Sequence, residues 1–583
     1  MIKRACLLLL LASVLVAPGV AAGQANQSAI IRYPALHHPV LDRDGMVASQ
    51  NAIASEVGAR ILADGGNAVD AAVGVGFALA VTLPRAGNIG GGGFMLFFDA
   101  TSNSGVAIDY RETAPPGASR DMFLDADGNV DERLARFSHL SSGVPGTVAG
   151  LYEAHRRYGS LPWKRLVEPA ERLARDGIAV SYDMAENLRN YRDRLSRSDT
   201  SRSYFFRPDG SPHEPGDRLV QRDLAKSLRL IAKNGADAFY RGAIAKMIAA
   251  EMEANGGLVD LAALDAYRPV LREALAGSYR GHDVIAMPPS SSGGAHVLQM
   301  LNVLEHFPVA DMGYGSADYL HLLAETFKLA YADRSQHLGD MDFYDVPLGW
   351  LTDKAYGREL AERIDMTRAR PSAEVAPGVA PLPESVDTTH FSIIDRHGNA
   401  VANTFTLNFS YGSGISVAGA GFLLNNEMDD FSAKPGVPNA FGLIGGEANA
   451  IEAGKRPLSS MTPTIVLRDG RPWLVTGSPG GSQIITSVMQ MIVNVVDHGM
   501  NIADATHAPR LHHQWLPDEL LLESGFSPDT IRLLEGRGHR IVPSEGMGSL
   551  QTVGYFEDLY RGASDPRRPQ AGSAGPAMLR SPM

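Results

Sequence analysis

The feature that most limits what this chain can become is a proline-rich run that leads into a β-hairpin. Met366 to Val386 carries Pro371, Pro377, Pro381 and Pro383 and almost no large apolar side chain. Proline has no ladder donor and the run has little to bury, so an exposed tether is expected. It ends at Asp387-Thr388-Thr389-His390-Phe391-Ser392. Thr388 to Asp395 and Ala400 to Asn408 are β-rich, and Arg396-His397-Gly398-Asn399 between them holds the Gly and Asn of a hairpin loop.

With the turn centred on His397, Ile394 faces Ala400 and Thr388 falls opposite Thr406. Directly opposed residues share a face, with Cβ atoms about 4.5–5.5 Å apart. Two readings of this hydroxyl pair are open. Threonine is common in strands because it is β-branched. Alternatively, a cut between Asp387 and Thr388 frees a threonine that is nucleophile and base in one residue. Its hydroxyl attacks, and its α-amino group, with a reference pKa of about 7.7–8.0, takes the proton. The hairpin alone favours the first reading.

The wider pattern favours the second. Asp-Thr-Thr-His-Phe-Ser with Asn403-Thr404-Phe405-Thr406-Leu407-Asn408 resembles the processing site of γ-glutamyltransferases (γ-glutamyltranspeptidases), members of the N-terminal nucleophile hydrolases. The likeness extends to Asn67-Ala68-Val69-Asp70-Ala71-Ala72, Gly90-Gly91-Gly92-Gly93-Phe94-Met95, Arg456-Pro457-Leu458-Ser459-Ser460-Met461 and Gly477-Ser478-Pro479-Gly480-Gly481-Ser482. It covers about Val47 to Asp565.

The resemblance implies an α+β fold, a four-layer αββα sandwich. It also implies self-cleavage into residues 23–387 and 388–583, which stay together as a heterodimer. Thr388 is then the nucleophile, Thr406 orients it, and the N–H groups of Gly480 and Gly481 form an oxyanion hole. The substrate class is glutathione and other γ-glutamyl compounds, with water, an amino acid or a peptide as acceptor. A γ-glutamyl group ends in an ammonium and a carboxylate. Asn408, Glu427 and Asp430 would accept from the first; Arg111, Ser459 and Ser460 would donate to the second. No metal or organic cofactor is implied. Glu427 stands where some relatives have glutamine, and Phe441 where many bacterial members have a tyrosine. Phe441 lies in the Ala433 to Gly442 loop expected to cover the site, and it removes a lid hydroxyl.

A glutaryl-cephalosporin acylase of the same fold is the nearest competing reading. Its substrate lacks the α-amino group, which leaves Glu427 and Asp430 without a purpose. A non-processing periplasmic binding relative is a third reading, and the intact Thr388, Thr406 and Gly-Gly pair speak against it.

Met1 to about Ala22 has the form of an export signal. Lys3 and Arg4 precede an apolar stretch from Leu7 to Ala17, and Val20-Ala21-Ala22 forms a small-residue cleavage site. The stretch is too short to span a bilayer, so a periplasmic or secreted protein without a stable membrane anchor is expected. The single cysteine, Cys6, lies inside this signal and leaves the mature chain without thiols. Apolar residues make up 44% of the 583, enough for a large core. The net charge, 53 − 65 = −12, argues against nucleic acid or anionic membrane as partners.

Local patterns place helices at Ala52 to Asp64, at Asn67 to about Val81 with Asp70 as capping acid, at Trp163 to Ala174, Asp223 to Ala232 and Tyr319 to Ala332. Leu151 to about Leu304 is mainly helical by pattern, with Ser290 to Gly294 a strand-to-helix corner. Gly90 to Gly93 has no Lys-Ser/Thr after it and fits close backbone packing at a strand entry rather than a phosphate loop. Arg111 follows a strand at Val106 to Tyr110. Residues 563–583, rich in Arg, Pro, Gly and Ser, are expected to form a mobile tail.

Overall fold

The Thr389–Asp395 and Ala400–Thr406 strands pair antiparallel with Ile394 opposite Ala400, as the turn predicts. The same register carried one step further sets Thr388 across from Thr406. This hairpin is the middle of a seven-stranded sheet. Its order is Gly572–Ala574, Gly45–Ser49, Thr389–Asp395, Ala400–Thr406, Gly92–Asp99, Ser104–Tyr110 and Val270–Glu273. A second seven-stranded sheet runs Val40–Asp42, Leu559–Ser564, Gln551–Phe556, Arg471–Thr476, Thr464–Arg468, His282–Ala286 and Leu275–Tyr279. Neighbours in both are antiparallel. The computed structural model describes residues 35–375 and 388–579 except 438, 441, 442 and 444. The signal with Cys6, the residues from 376 through Asp387, and Phe441 therefore lie outside the described residues.

Both faces of the first sheet are buried, so its strands alternate between two cores rather than between core and water. Phe391, Ile393, Val401 and Phe405 join the helices Ala52–Ala63, Ala68–Thr82, Thr147–Tyr158 and Trp163–Asp176. Ile394, Ala400 and Ala402 join the other side, with Val553, Ile465 and Val475 of the second sheet and the helices Gly293–Leu304, Ala317–His337 and Gln483–Val496. The result is the αββα sandwich. Residues 37–583 form one compact unit.

The Asn67 cap is a full capping box with Asp70, which also accepts from Ser160 N–H and O–H. Ala68–Thr82 is buried along its whole length. A Cβ on Gly91 would lie 2.0 Å from Thr406 O, and one on Gly93 2.4 Å from Thr404 O. The glycine run is therefore a requirement of close strand approach.

Three expectations are corrected. The stretch beyond Ala563 is not a loose tail as far as Leu579: Gly572–Ala574 adds an edge strand to Gly45–Ser49. Its backbone groups found a ladder that composition does not reveal. Second, the region read as mainly helical up to Leu304 also contains Val270–Glu273, Leu275–Tyr279 and His282–Ala286. These are short strands with half-buried residues and weak alternation. Third, the first part of the proline-rich run is docked. Ser372 N and Oγ donate to Asp518 at 2.9 and 2.8 Å, Trp515 Nε1 donates to Ser372 O at 2.9 Å, and Ala369 N–H reaches Arg537 O at 2.8 Å.

Candidate active site

Thr388 is buried at the head of its strand, and its Oγ donates to Thr406 Oγ at 3.4 Å. Thr406 Oγ also accepts from Asn408 N–H at 2.8 Å. Asn408 stands two residues beyond the end of the Ala400–Thr406 strand, turning the chain with φ +77, a conformation that asparagine tolerates better than most residues. Its Nδ2 donates to Asn426 O at 3.0 Å, which ties the strand end to the Glu427–Asp430 turn of 3₁₀ helix.

That turn carries the acids. Arg111, one residue beyond the Ser104–Tyr110 strand, is 1% exposed, and its Nη1 lies 2.6 Å from Glu427 Oε2. Its Nη2 donates to Asp430 Oδ2, and its Nε to Pro457 O at 3.3 Å. Without a ligand, the residues expected to take the two ends of an amino acid therefore pair with one another. Glu112 adds a third buried carboxylate 3.8 Å from Arg111 Nη1. Burial opposes the charge on Arg111, but Glu427, Asp430 and Glu112 more than compensate and raise its pKa. Burial pushes Glu112 up to about 8 against the pull of Arg111, and raises Glu427 and Asp430 in the same sense. Burial and the crowding of three carboxyls raise their hold on protons, while the Arg111 guanidinium favours their charged forms.

Ser459 and Ser460 precede the Thr464–Arg468 strand. Ser459 Oγ accepts from Met461 N–H at 3.0 Å, and Ser460 Oγ accepts from Arg334 Nη2 at 3.1 Å. Gly480 and Gly481 stand just before the Gln483–Val496 helix, with φ +137 and +53. A Cβ on Gly480 would lie 3.2 Å from Gly548 Cα. Their carbonyls accept from Gln483 and Ile484 N–H at the helix entry. The loop crosses the hairpin at Gly477, where a Cβ would be 2.4 Å from His390 Cε1. His390 is buried, and burial depresses its pKa to about 3. The neutral ring bridges Thr404 Oγ1 at 2.8 Å and Ser392 Oγ at 2.9 Å.

Hydrogen bonds and ion pairs thus run from Thr388 through Thr406, Asn408 and Asn426 to the Glu427–Asp430 turn and Arg111. The Ser459–Ser460 pair approaches through Pro457 and Arg334. Sequence reasoning missed three participants. Glu112 directly follows Arg111 in the chain, and its adjacency is the one signal that could have found it. Asn425, whose Oδ1 accepts from Glu427 N–H at 3.1 Å, lies beside the acids. Arg334 lies within a long helix and has no local sequence signal.

Comparison with known proteins places this chain in a family. The family model described as Gamma-glutamyltranspeptidase matches residues 54–575. A glutathione hydrolase proenzyme of Escherichia coli strain K12 is 55% identical over 532 residues, 91% of each chain. Among solved structures, a cephalosporin acylase from Bacillus halodurans superposes with a TM-score of 0.83 at 26% identity, covering 94% of this chain and 98% of that one. A Helicobacter pylori gamma-glutamyltranspeptidase chain gives 0.56 at 42% identity and covers 60% of this chain and 97% of that one. The chain belongs to the γ-glutamyltranspeptidase family of N-terminal nucleophile hydrolases.

Proposed function

We propose that this protein is an exported, self-processing γ-glutamyltransferase that acts on glutathione and related γ-glutamyl compounds. One observation carries the reading: buried Arg111 lies between Glu427 and Asp430, on a hydrogen-bonded path to Thr388. An amino acid end group offers each sign of charge in that set a partner. Its carboxylate takes Arg111 with Ser459 and Ser460, and its ammonium takes Asn408, Glu427 and Asp430.

In processing, Thr388 Oγ attacks the carbonyl carbon of Asp387, and the peptide becomes an ester with a free Thr388 amine. Water then releases Asp387 from the ester. In turnover the Thr388 hydroxyl attacks the γ-amide carbonyl and passes its proton to the α-amino group. The tetrahedral oxygen is held by N–H groups of Gly480 and Gly481, and the amine leaves with that proton. Water, an amino acid or a peptide attacks the resulting ester and takes the γ-glutamyl group. Every step uses groups of the chain and its substrates.

Among the described residues no helix is long and apolar enough to cross a membrane. N-terminal sequencing of the purified protein tests the proposal directly. Two sequences are expected, one near residue 23 and one starting at Thr388, together with turnover of a γ-glutamyl anilide. A single uncut chain without turnover overturns the reading.

A further inference from the structure

Two of the donors assigned to the substrate carboxylate are serine hydroxyls, and a serine donates usefully only if its proton is turned the right way. A hydroxyl has one proton and two acceptor sites, whereas a guanidinium has donors only. Arg334 Nη2 donates to Ser460 Oγ at 3.1 Å, so the Ser460 proton has to point elsewhere. Arg334 Nε donates to Ser292 Oγ at 2.9 Å, and Ser292 Oγ passes its own proton to Ser459 O at 2.8 Å. Ser292 N–H donates to the same carbonyl at 2.9 Å, and Ser459 N–H donates to Ser290 O at 2.9 Å. Ser459 Oγ already accepts from Met461 N–H. Both hydroxyls thus have an acceptor side occupied and a proton to give. Arg334 is 5% exposed and its charge acts on Asp430, so it belongs to the same electrostatic environment as Arg111.

We infer that Arg334 is a positioning and specificity residue for the substrate α-carboxylate. It acts through Ser460 directly and through Ser292 on Ser459. Besides orienting the Ser460 hydroxyl and, through Ser292, fixing the Ser459 backbone, it places a second positive charge behind the pair, which strengthens them as donors to an anion. It also bridges the proposed fragments, since Arg334 and Ser292 precede the cleavage point and Ser459 and Ser460 follow it.

The inference rests on the γ-glutamyl reading, and the test separates the two. Full-length processed enzyme is assayed with γ-L-glutamyl-p-nitroanilide and with 4-aminobutanoyl-p-nitroanilide, which keeps the ammonium and lacks the α-carboxylate. Wild-type enzyme that does not prefer the γ-glutamyl compound overturns the proposed function. If it does prefer it, Arg334→Met is expected to lower the ratio of the two kcat/KM values about tenfold or more, one charge-assisted contact's worth. The loss should appear in KM for the γ-glutamyl compound, with Arg334→Lys intermediate. Ser292→Ala breaks the relay without removing the buried charge and should lower the ratio less; it decides the matter if Arg334→Met does not fold. An unchanged ratio, or a parallel fall for both substrates, overturns the inference.

Discussion

Thr406 Oγ accepts from Thr388 Oγ and from Asn408 N–H, so one oxygen joins the head of one strand to the end of its neighbour. A hydroxyl that receives two protons and keeps its own to give holds the Thr388 oxygen in place. Thr388→Ala is expected to leave the chain uncut and inactive. Thr406→Val should still fold but slow both cleavage and turnover about 10–100-fold, as expected for one lost hydrogen bond to a reacting oxygen. A gel time course and an anilide assay measure both. Normal fragments from Thr388→Ala would move the nucleophile elsewhere, with Thr389 first in line, since its buried Oγ has no hydrogen-bond partner.

Arg111→Lys keeps the charge and loses the fork. The variant is expected to process itself normally and to raise KM for γ-glutamyl anilides about 10–100-fold, the worth of a bidentate charged contact in a closed pocket. An unchanged KM removes Arg111 from substrate binding.

Specificity should follow the substrate ammonium. A glutaryl anilide, identical except for the missing amino group, leaves Glu427 and Asp430 without the substrate ammonium assigned to them. Discrimination on the order of 10⁴ in kcat/KM is expected. Asp430→Asn should narrow it while self-cleavage stays complete. Comparable rates on both anilides would point to the acylase reading instead.

Gly477→Ala puts a methyl group into the His390 ring, which is buried and already fastened to Thr404 and Ser392. The expected cost is about 1–3 kcal/mol, typical of overpacking a tight core, visible as a lower Tm of the uncut Thr388→Ala background. A Tm within error of the parent would mean that the loop moves freely over the hairpin.

Acid should weaken the fold through buried neutral histidines. Burial lowers His390 and His296 to about 3 and His512 to about 4 from an ordinary 6.5. The unfolded chain binds protons there that the folded chain refuses. The stability is therefore present above pH 6.5 and lost as pH falls towards 4, at up to about 1.4 kcal/mol per pH unit for each group. Tm measured between pH 7.5 and 5 should fall steadily, and His390→Gln should flatten the slope. A slope unaffected by that change would count against a neutral His390.

Much of the site was legible in the chain because its residues come in short runs. The Thr388–Thr406 pairing follows from turn position alone, and Arg111, Glu427, Asp430, Ser459 and Ser460 sit in recognisable stretches. Arg334 and Ser292 were not legible. Each is an ordinary residue in its own segment and gains meaning only when the Ala317–His337 helix passes the Ser459–Ser460 loop. The strands at Val270–Glu273 and Leu275–Tyr279 escaped notice because half-buried positions blur the two-residue period. The Gly572–Ala574 strand escaped because three small residues carry no pattern; its partner supplies the order.

The central hairpin lies between Gly45–Ser49 and Gly92–Asp99, so chain from after the proposed cut is bonded on both sides to chain from before it. Before cleavage those ladders close within one molecule, and their assembly does not depend on dilution. After cleavage, the same ladders can be rebuilt from the unfolded state only by two molecules meeting. The precursor should therefore recover from denaturant at any concentration, and the mature enzyme only poorly and in proportion to how often its halves collide. Cutting one peptide bond would turn a reversible fold into one that is made once.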